Sequence, residues 1–489
     1  MVTTTITRGY DGLDRLTQEV TAEGTVNYTY DNASRRATMT VVGQLQVVYT
    51  YDNANRLTTI TQGTSTVTIG YDDADRRTSV TYPNTNSITY GYNIASELTS
   101  LTYKQGPTTL GDLTYTYDAA GNRIKTGGTF ARSNLPPALT TTNYNANNQQ
   151  TTFGTTTETY DLNGNLAIST AAGVTTTYAW NARNQLTGIS RTGLTASLTY
   201  DSFGRRTGKT INGTTTNFVY DGLNPVQEKN GATVTANLLT GLGIDEFFTR
   251  TDSVGVRSLL SDALGSTVAL GDGTGTLQTQ YTYEPFGFVS QTGAASTSSY
   301  KYTGREDDGT GLLNYRARYY QPRFQRFVSE DPLVFAGGDA NIYLYVANNP
   351  TRWRDPSGLF FGGSDGYLNY PLDFIGGLGD LARGRNNLMD AGTRGADAYF
   401  HCRANCQASR RGLGGYNAAV LGSWLREVYQ GEAAAARASD EAANAQGQGA
   451  GRCGLGTDCY RACANLIPLW GIPQRHLPPH ADPVHIYQP

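Results

Sequence analysis

A tyrosine–aspartate pair returns down the first half of the chain at a near-fixed interval, and this beat constrains the fold more than any other feature. It falls at Tyr10-Asp11, Tyr30-Asp31, Tyr51-Asp52 and Tyr71-Asp72, softens at Tyr92-Asn93, and continues at Tyr117-Asp118, Tyr144-Asn145 and Tyr160-Asp161. It closes with Trp180-Asn181, Tyr200-Asp201 and Tyr220-Asp221, and the successive spacings are 20, 21, 20, 21, 25, 27, 16, 20, 20 and 20 residues. Self-similarity at such a period marks a repeat array. The stretch of irregular spacing marks insertions, one of them carrying Pro136-Pro137.

Each repeat has a physical reading. Before the Asp the residues alternate, as in Tyr49-Thr50-Tyr51, which puts both tyrosines on one face of a strand and Thr on the other. After it comes Asp-x-x-Gly or Asp-x-x-Asn, in which the carboxylate accepts from the next amides and Gly or Asn takes positive φ, so the chain turns. An Arg or Leu then opens a second alternating strand such as Leu57-Thr58-Thr59-Ile60. One strand–turn–strand unit cannot bury its face alone; stacked copies form a continuous sheet. Composition agrees: 33 Tyr against 15 Phe and 3 Met, and polar bulk supplied by Thr, Asn, Gln and Gly, favour pleated, half-wet surfaces. The Tyr and Asp of the beat are read as structural; sugar binding on exposed tyrosine faces is the competing reading.

Other classes recede. A net charge of −3 gives no footprint for nucleic acid or an anionic membrane surface. No apolar run reaches the length of a spanning helix, and the opening MVTTTITRGYDG has no signal-peptide h-region. The chain opens partway into a repeat, which suggests the C-terminal portion of a longer array or a shortened relative of one.

This array resembles the YD repeats of the RHS family, by period over residues 1–235. From 236 to 359 the resemblance is carried by phrases in the order of an RHS-associated core: YEPFG, YTGRE, ARYY, RFVSEDP, NIYLY and DPSGL. Phe324-Gln325 stands where Gly is usual before the Arg, and Asp339-Ala340 is an addition. The resemblance implies a mainly β fold, a YD-repeat sheet wound into a spiral or shell around the protein's own C-terminal segment. Eleven repeats suggest a partial cocoon, or one completed by an upstream RHS chain.

Two Asp-Pro pairs stand out in the core, Asp331-Pro332 and Asp355-Pro356. Proline biases the residue before it toward extended backbone, so both carboxylates sit on held segments. Two carboxylates forced together share one proton, and such a pair can activate water with one member and protonate a leaving group with the other. Spacing alone does not bring them together. The resemblance does: it implies an aspartic-type self-cleaving protease with Asp331 and Asp355 as the pair, Arg318 as the basic residue that positions and tunes them, and cleavage between Leu359 and Phe360. Asp339 is a nearby rival carboxylate. As plain turn residues, the two Asp-Pro pairs would carry no chemistry.

After DPSGL the composition shifts to Ala, Arg, Gly and Asn with apolar residues at three- and four-residue spacings, which predicts a small α-rich domain over 360–489. The resemblance makes this the variable tail, a toxin carried as encapsulated cargo, exported through a secretion apparatus and matched by a cognate immunity protein. All five cysteines lie there. Cys402 with Cys406, and Cys459 with Cys463, suit two disulfides or a four-thiolate zinc site, with Cys453 left over. His401 points to another helix face; His476, His480 and His485 lie in Pro-rich coil. Glu427, Asp397 and His401 are available acid–base groups, but no zincin, deaminase, G-x-S-x-G or P-loop signature accompanies them, and nothing calls for a cofactor. Two function classes follow: a self-processing, secreted or cell-surface toxin, or a non-enzymatic surface, adhesion or carbohydrate-binding protein.

Overall fold

The structure, a computed structural model, describes residues 5–359 except 133, 140 and 338, together with 362–363. These belong to one compact unit, Met1–Gly366. Phe360 and the predicted helical tail lie outside the described residues. So do Cys402, Cys406, Cys453, Cys459 and Cys463, and with them both the disulfide pairing and the four-thiolate zinc site expected of Cys402, Cys406, Cys459 and Cys463. Among the described residues the regular structure is strands and short 3-10 turns, and no helix is long and apolar enough to cross a membrane.

The repeat unit forms as its residues dictate. Asp52 Oδ1 accepts from the amides of Ala54 and Arg56, both at 2.9 Å, and Asn55 takes φ 66° to close the turn. The Gly-or-Asn expectation is too narrow, since Asp14, Ser34, Asp75 and Ser96 hold the equivalent left-handed position. Short polar side chains that bond locally tolerate it.

The Arg after the turn does more than open a strand. Arg56 Nε donates to Asp52 Oδ2 at 2.7 Å, while its Nη1 donates to the Asp72 carbonyl at 2.8 Å and to Asp75 Oδ1 at 2.9 Å in the next repeat. Its guanidinium lies 5.1 Å from the Tyr71 ring centre, and Tyr71 in turn donates its hydroxyl to the Leu57 carbonyl at 3.0 Å. Arg15, Arg35 and Arg76 repeat this stitch. Tyr30, Tyr51, Tyr71 and Tyr92 therefore each take a structural part in the array. Each is partly buried, covered by an Arg guanidinium and hydrogen-bonded to the repeat before it. Trp180 fits the beat because its indole Nε1 donates to the Leu166 carbonyl at 2.8 Å, as a tyrosine hydroxyl would.

Stacking gives two antiparallel sheets in which every strand pairs with its sequence neighbours: twelve strands from Thr7 to Gly127 and sixteen from Thr142 to Gly293. The second sheet runs past residue 235 without a break, although the tyrosine beat has stopped. Asp262 and Asp272 build the same turns, their Oδ1 atoms accepting from Leu264 and Ser266 and from Thr274 and Thr276.

The beat stops because the strands become buried on both faces. One face of the second sheet shares a core with the first sheet, where Val26, Ile60 and Val80 join Leu239, Phe248 and Leu260. Adjacent residues Leu238, Phe247, Leu259 and Leu270 point the other way, into a cluster with Tyr281 and Tyr300. A strand buried on two faces reads as an apolar run, not as alternation. These two sheets meet through that shared core. Polar contacts cross it as well, including Arg77 to Glu246 at 2.6 Å and the Tyr82 hydroxyl to the Leu259 carbonyl at 2.9 Å.

On the far face of the second sheet sits a small four-stranded sheet, Glu306–Asp307, Leu313–Tyr315, Arg318–Gln321 and Arg326–Phe327. Tyr302, Tyr315, Tyr320, Phe327 and Tyr345 pack its centre, with Tyr320 and Tyr345 rings 4.3 Å apart. Buried ion pairs dock it: Lys209 meets Asp308 at 2.6 Å, and Arg316 meets Asp245 at 2.6 Å.

Candidate active site

Arg318 begins a strand whose first three residues are buried, and its side chain is 3 % exposed. Its guanidinium lies over the Phe327 ring at 3.6 Å. One nitrogen, Nη2, reaches both predicted aspartates: Asp331 Oδ2 at 3.0 Å and Asp355 Oδ2 at 3.3 Å. The other two hold backbone, Nη1 donating to the Ile342 carbonyl at 3.1 Å and Nε to the Gly358 carbonyl. The three residues joined by the family resemblance thus form one contact group, which no sequence spacing dictated.

Each carboxylate is fixed by its own loop. Asp331 donates its amide to the Ile342 carbonyl at 3.0 Å, and its Oδ1 accepts from the Leu333 amide at 2.8 Å. Asp355 Oδ1 accepts from the amides of Gly358 at 2.8 Å and Leu359 at 3.1 Å, and from the Ser357 hydroxyl at 3.1 Å. The turn needs glycine at 358: its φ is +73°, and a Cβ there would collide with the Tyr315 carbonyl oxygen. Leu359, the residue before the predicted cut, is therefore held by its amide on one member of the pair.

Burial pushes the Asp331 carboxyl up to about 6, against the pull of Arg318 and with a further push from Asp355. Burial also raises Asp355, while Arg318, Ser357 and the two amides pull it down. Burial lowers Arg318, and the two carboxylates raise it. Two buried anions and one cation leave one negative charge uncompensated. A single proton shared by the pair removes it.

The carboxylates line a small pocket with Arg318, Gly337, Ile342 and Leu359. Asp339 lines the same pocket but accepts from the Asn341 amide at 2.8 Å, and Arg318 pairs with Asp331 and Asp355 instead. Ser357, Ile342 and Gly337 were not picked out from the sequence. The only marks they leave are the Ser of DPSGL, the Ile of NIYLY and the Gly-Gly of VFAGGDAN. The other candidate ligands, Cys402, Cys406, Cys459 and Cys463, fall outside the described residues.

Family models match three stretches. Teneurin YD-shell matches residues 81–351, RHS Repeat matches 10–45, and Serum amyloid A protein matches 368–466. Serum amyloid A protein of Notamacropus eugenii is 35% identical over 102 residues, covering 20% of this chain and 80% of that protein. The chain belongs to the teneurin YD-shell family, and its C-terminal segment to the serum amyloid A family. The second membership was not read from the sequence, where the tail showed only helical spacing and paired cysteines.

Among YD-shell relatives, the toxin subunit YenC1 of Yersinia entomophaga is 39% identical over 109 residues, 21% of this chain and 11% of that protein. The crystal structure of TcdB2–TccC3 without its hypervariable C-terminal region superposes with a TM-score of 0.55 at 19% identity, over 72% of this chain and 23% of that one. The chain spans about a tenth of YenC1 and less than a quarter of the TcdB2–TccC3 chain, and the latter likeness is one of fold.

Proposed function

We propose that this YD-shell protein is a toxin-type chain that cuts itself once, between Leu359 and Phe360, freeing residues 360–489 from a 1–359 shell. One observation carries the reading: a single Arg318 nitrogen joins Asp331 and Asp355, and Asp355 holds the Leu359 amide. A pair sharing one proton suits hydrolysis. The charged member takes a proton from water as the water oxygen bonds to the Leu359 carbonyl carbon. The protonated member then gives its proton to the Phe360 nitrogen as the C–N bond breaks. Arg318 keeps the two carboxyls in register throughout. Asp331, Asp355 and Arg318 are the catalytic group in this proposal; Ser357 and Gly358 set the strand to be cut.

The domain division follows the same reading: repeats over 1–235, core over 236–359, and the tail as the shell's cargo. Similarity to a toxin subunit supports the toxin type, and the TcdB2–TccC3 crystals, grown without a hypervariable C-terminal region, support a separable tail. Export and an immunity partner belong to the proposal. A second reading, a surface protein with a folded binding tail, is favoured by the tail's match to a serum protein.

Denaturing electrophoresis of the purified full chain tests the cut. Two fragments are expected from wild type and one full-length band from Asp331→Asn. A single wild-type band would sink the proposal.

A further inference from the structure

Beside the three charged residues, the pocket holds a residue with no side chain. Gly337 ends the short 3-10 turn Val334–Gly337, which begins where the Val334 amide donates to the Asp331 carbonyl at 2.8 Å. A Cβ on Gly337 would lie 2.6 Å from Asp331 Oδ2 and 3.1 Å from the Leu359 carbonyl oxygen. The first distance is shorter than real Cβ atoms show, and the second is tight against backbone that Asp355 already holds through the Leu359 amide. The place of the missing side chain therefore touches both one carboxylate of the pair and the carbonyl of the bond to be cut. The same residue lines the pocket shared by Arg318, Asp331, Asp355 and Leu359.

We infer that Gly337 is a positioning residue for self-cleavage: its missing side chain lets the Asp331 carboxylate face the Leu359 carbonyl across a gap that the attacking water fills. This rests on the cleavage reading and adds to it the residue that sets the approach. A methyl group there would push Asp331 Oδ2 away, push the Leu359 carbonyl away, or occupy the gap. Displacements of about 1 Å in a hydrolytic site cost about 100-fold in rate. Such a methyl would also exclude water further from Asp331, whose pocket neighbours are Arg318, Asp355 and Asp339.

The experiment follows single-turnover cleavage of the full chain made by cell-free translation, stopped and shifted to a series of pH values around 6. Wild type, Gly337→Ala, Asp331→Asn and Gly12→Ala are compared, position 12 being a glycine with ordinary φ and nothing near its Cβ direction. Gly337→Ala is expected to cleave about 100-fold slower than wild type, with its pH profile moved upward and its melting transition retained. Gly12→Ala is expected to match wild type. Cleavage of Gly337→Ala at the wild-type rate would overturn the assignment. So would a slowed variant with an unmoved pH profile, or one that has lost its melting transition, because each makes Gly337 merely structural. If wild type is cut, Asp331→Asn stays whole and Gly337→Ala is cut normally, only the Gly337 assignment fails. If wild type itself stays whole, the cleavage reading fails instead.

Discussion

Arg318 carries two carboxylates on one nitrogen, and the consequences can be measured separately. Replacing it with Met leaves Asp331 and Asp355 buried without their cation. Breaking a buried pair from one side costs about 3–5 kcal/mol, so Arg318→Met is expected to unfold at clearly lower denaturant than an uncut Asp331→Asn chain, and to stay uncut. The pH dependence follows from the direction of the shifts. Asp331 is neutral below about 6 and charged above it, and Asp355 is also raised. On the acid side both carboxyls are protonated and no base remains; on the alkaline side both are charged and no acid remains. Cleavage should therefore be bell-shaped, with one limb passing through about pH 6, where Asp331 titrates, and a rate that kept rising through pH 8 would contradict the shared-proton pair. At this scale the sequence went a fair distance. The Asp-Pro pairs flagged both carboxylates, but Arg318 and their meeting came from the family phrases, because contacts between separate loops leave no local pattern. Gly337 left no mark beyond a glycine.

The strand–turn–strand unit is held by polar groups at fixed places. Asp bonds its own turn, Arg crosses to the next turn, and the beat aromatic ties back to the previous repeat. Trp180 isolates the last of these, since it performs the tyrosine's task with an indole N–H. Trp180→Tyr keeps a donor and is expected to leave stability nearly unchanged. Trp180→Phe removes it, leaves the Leu166 carbonyl without its partner and should cost about 1 kcal/mol, read by urea unfolding. Equal losses for both variants would argue that ring volume, not the donor, selects the residue. The unit itself was plain in the sequence, because alternation and an Asp-led turn are local signals. The reach of Arg56 to Asp75 was not, because it joins residues one repeat apart and depends on how the units stack.

Across the described residues, the two sheets and the small core are joined in layers, and the second sheet is buried on both faces at its middle strands such as Phe247–Asp252 and Thr267–Gly271. That explains why its alternation fades after Tyr220 while its strands continue to Gly293. The paired leucines test it: Leu260 faces the first sheet and Leu259 faces the cluster beneath the small core. Leu259→Ala and Leu260→Ala should each cost about 2–5 kcal/mol, whereas a sheet with one wet face would tolerate one of them. Fold class was legible because the repeat repeats. The layering was not, because nothing in a periodic sequence says which copies will face each other. The serum amyloid A membership of the tail was hidden for another reason: helical spacing describes many domains and names none. All of this architecture converges on the segment from Asp355 to Leu359, and the intact masses of the purified full-length chain and its Asp331→Asn variant test its purpose most directly. The account predicts two wild-type species whose masses meet at the bond between Leu359 and Phe360, and one undivided Asp331→Asn species. An undivided wild-type chain, or a cut at another bond that Asp331→Asn leaves unchanged, would contradict it.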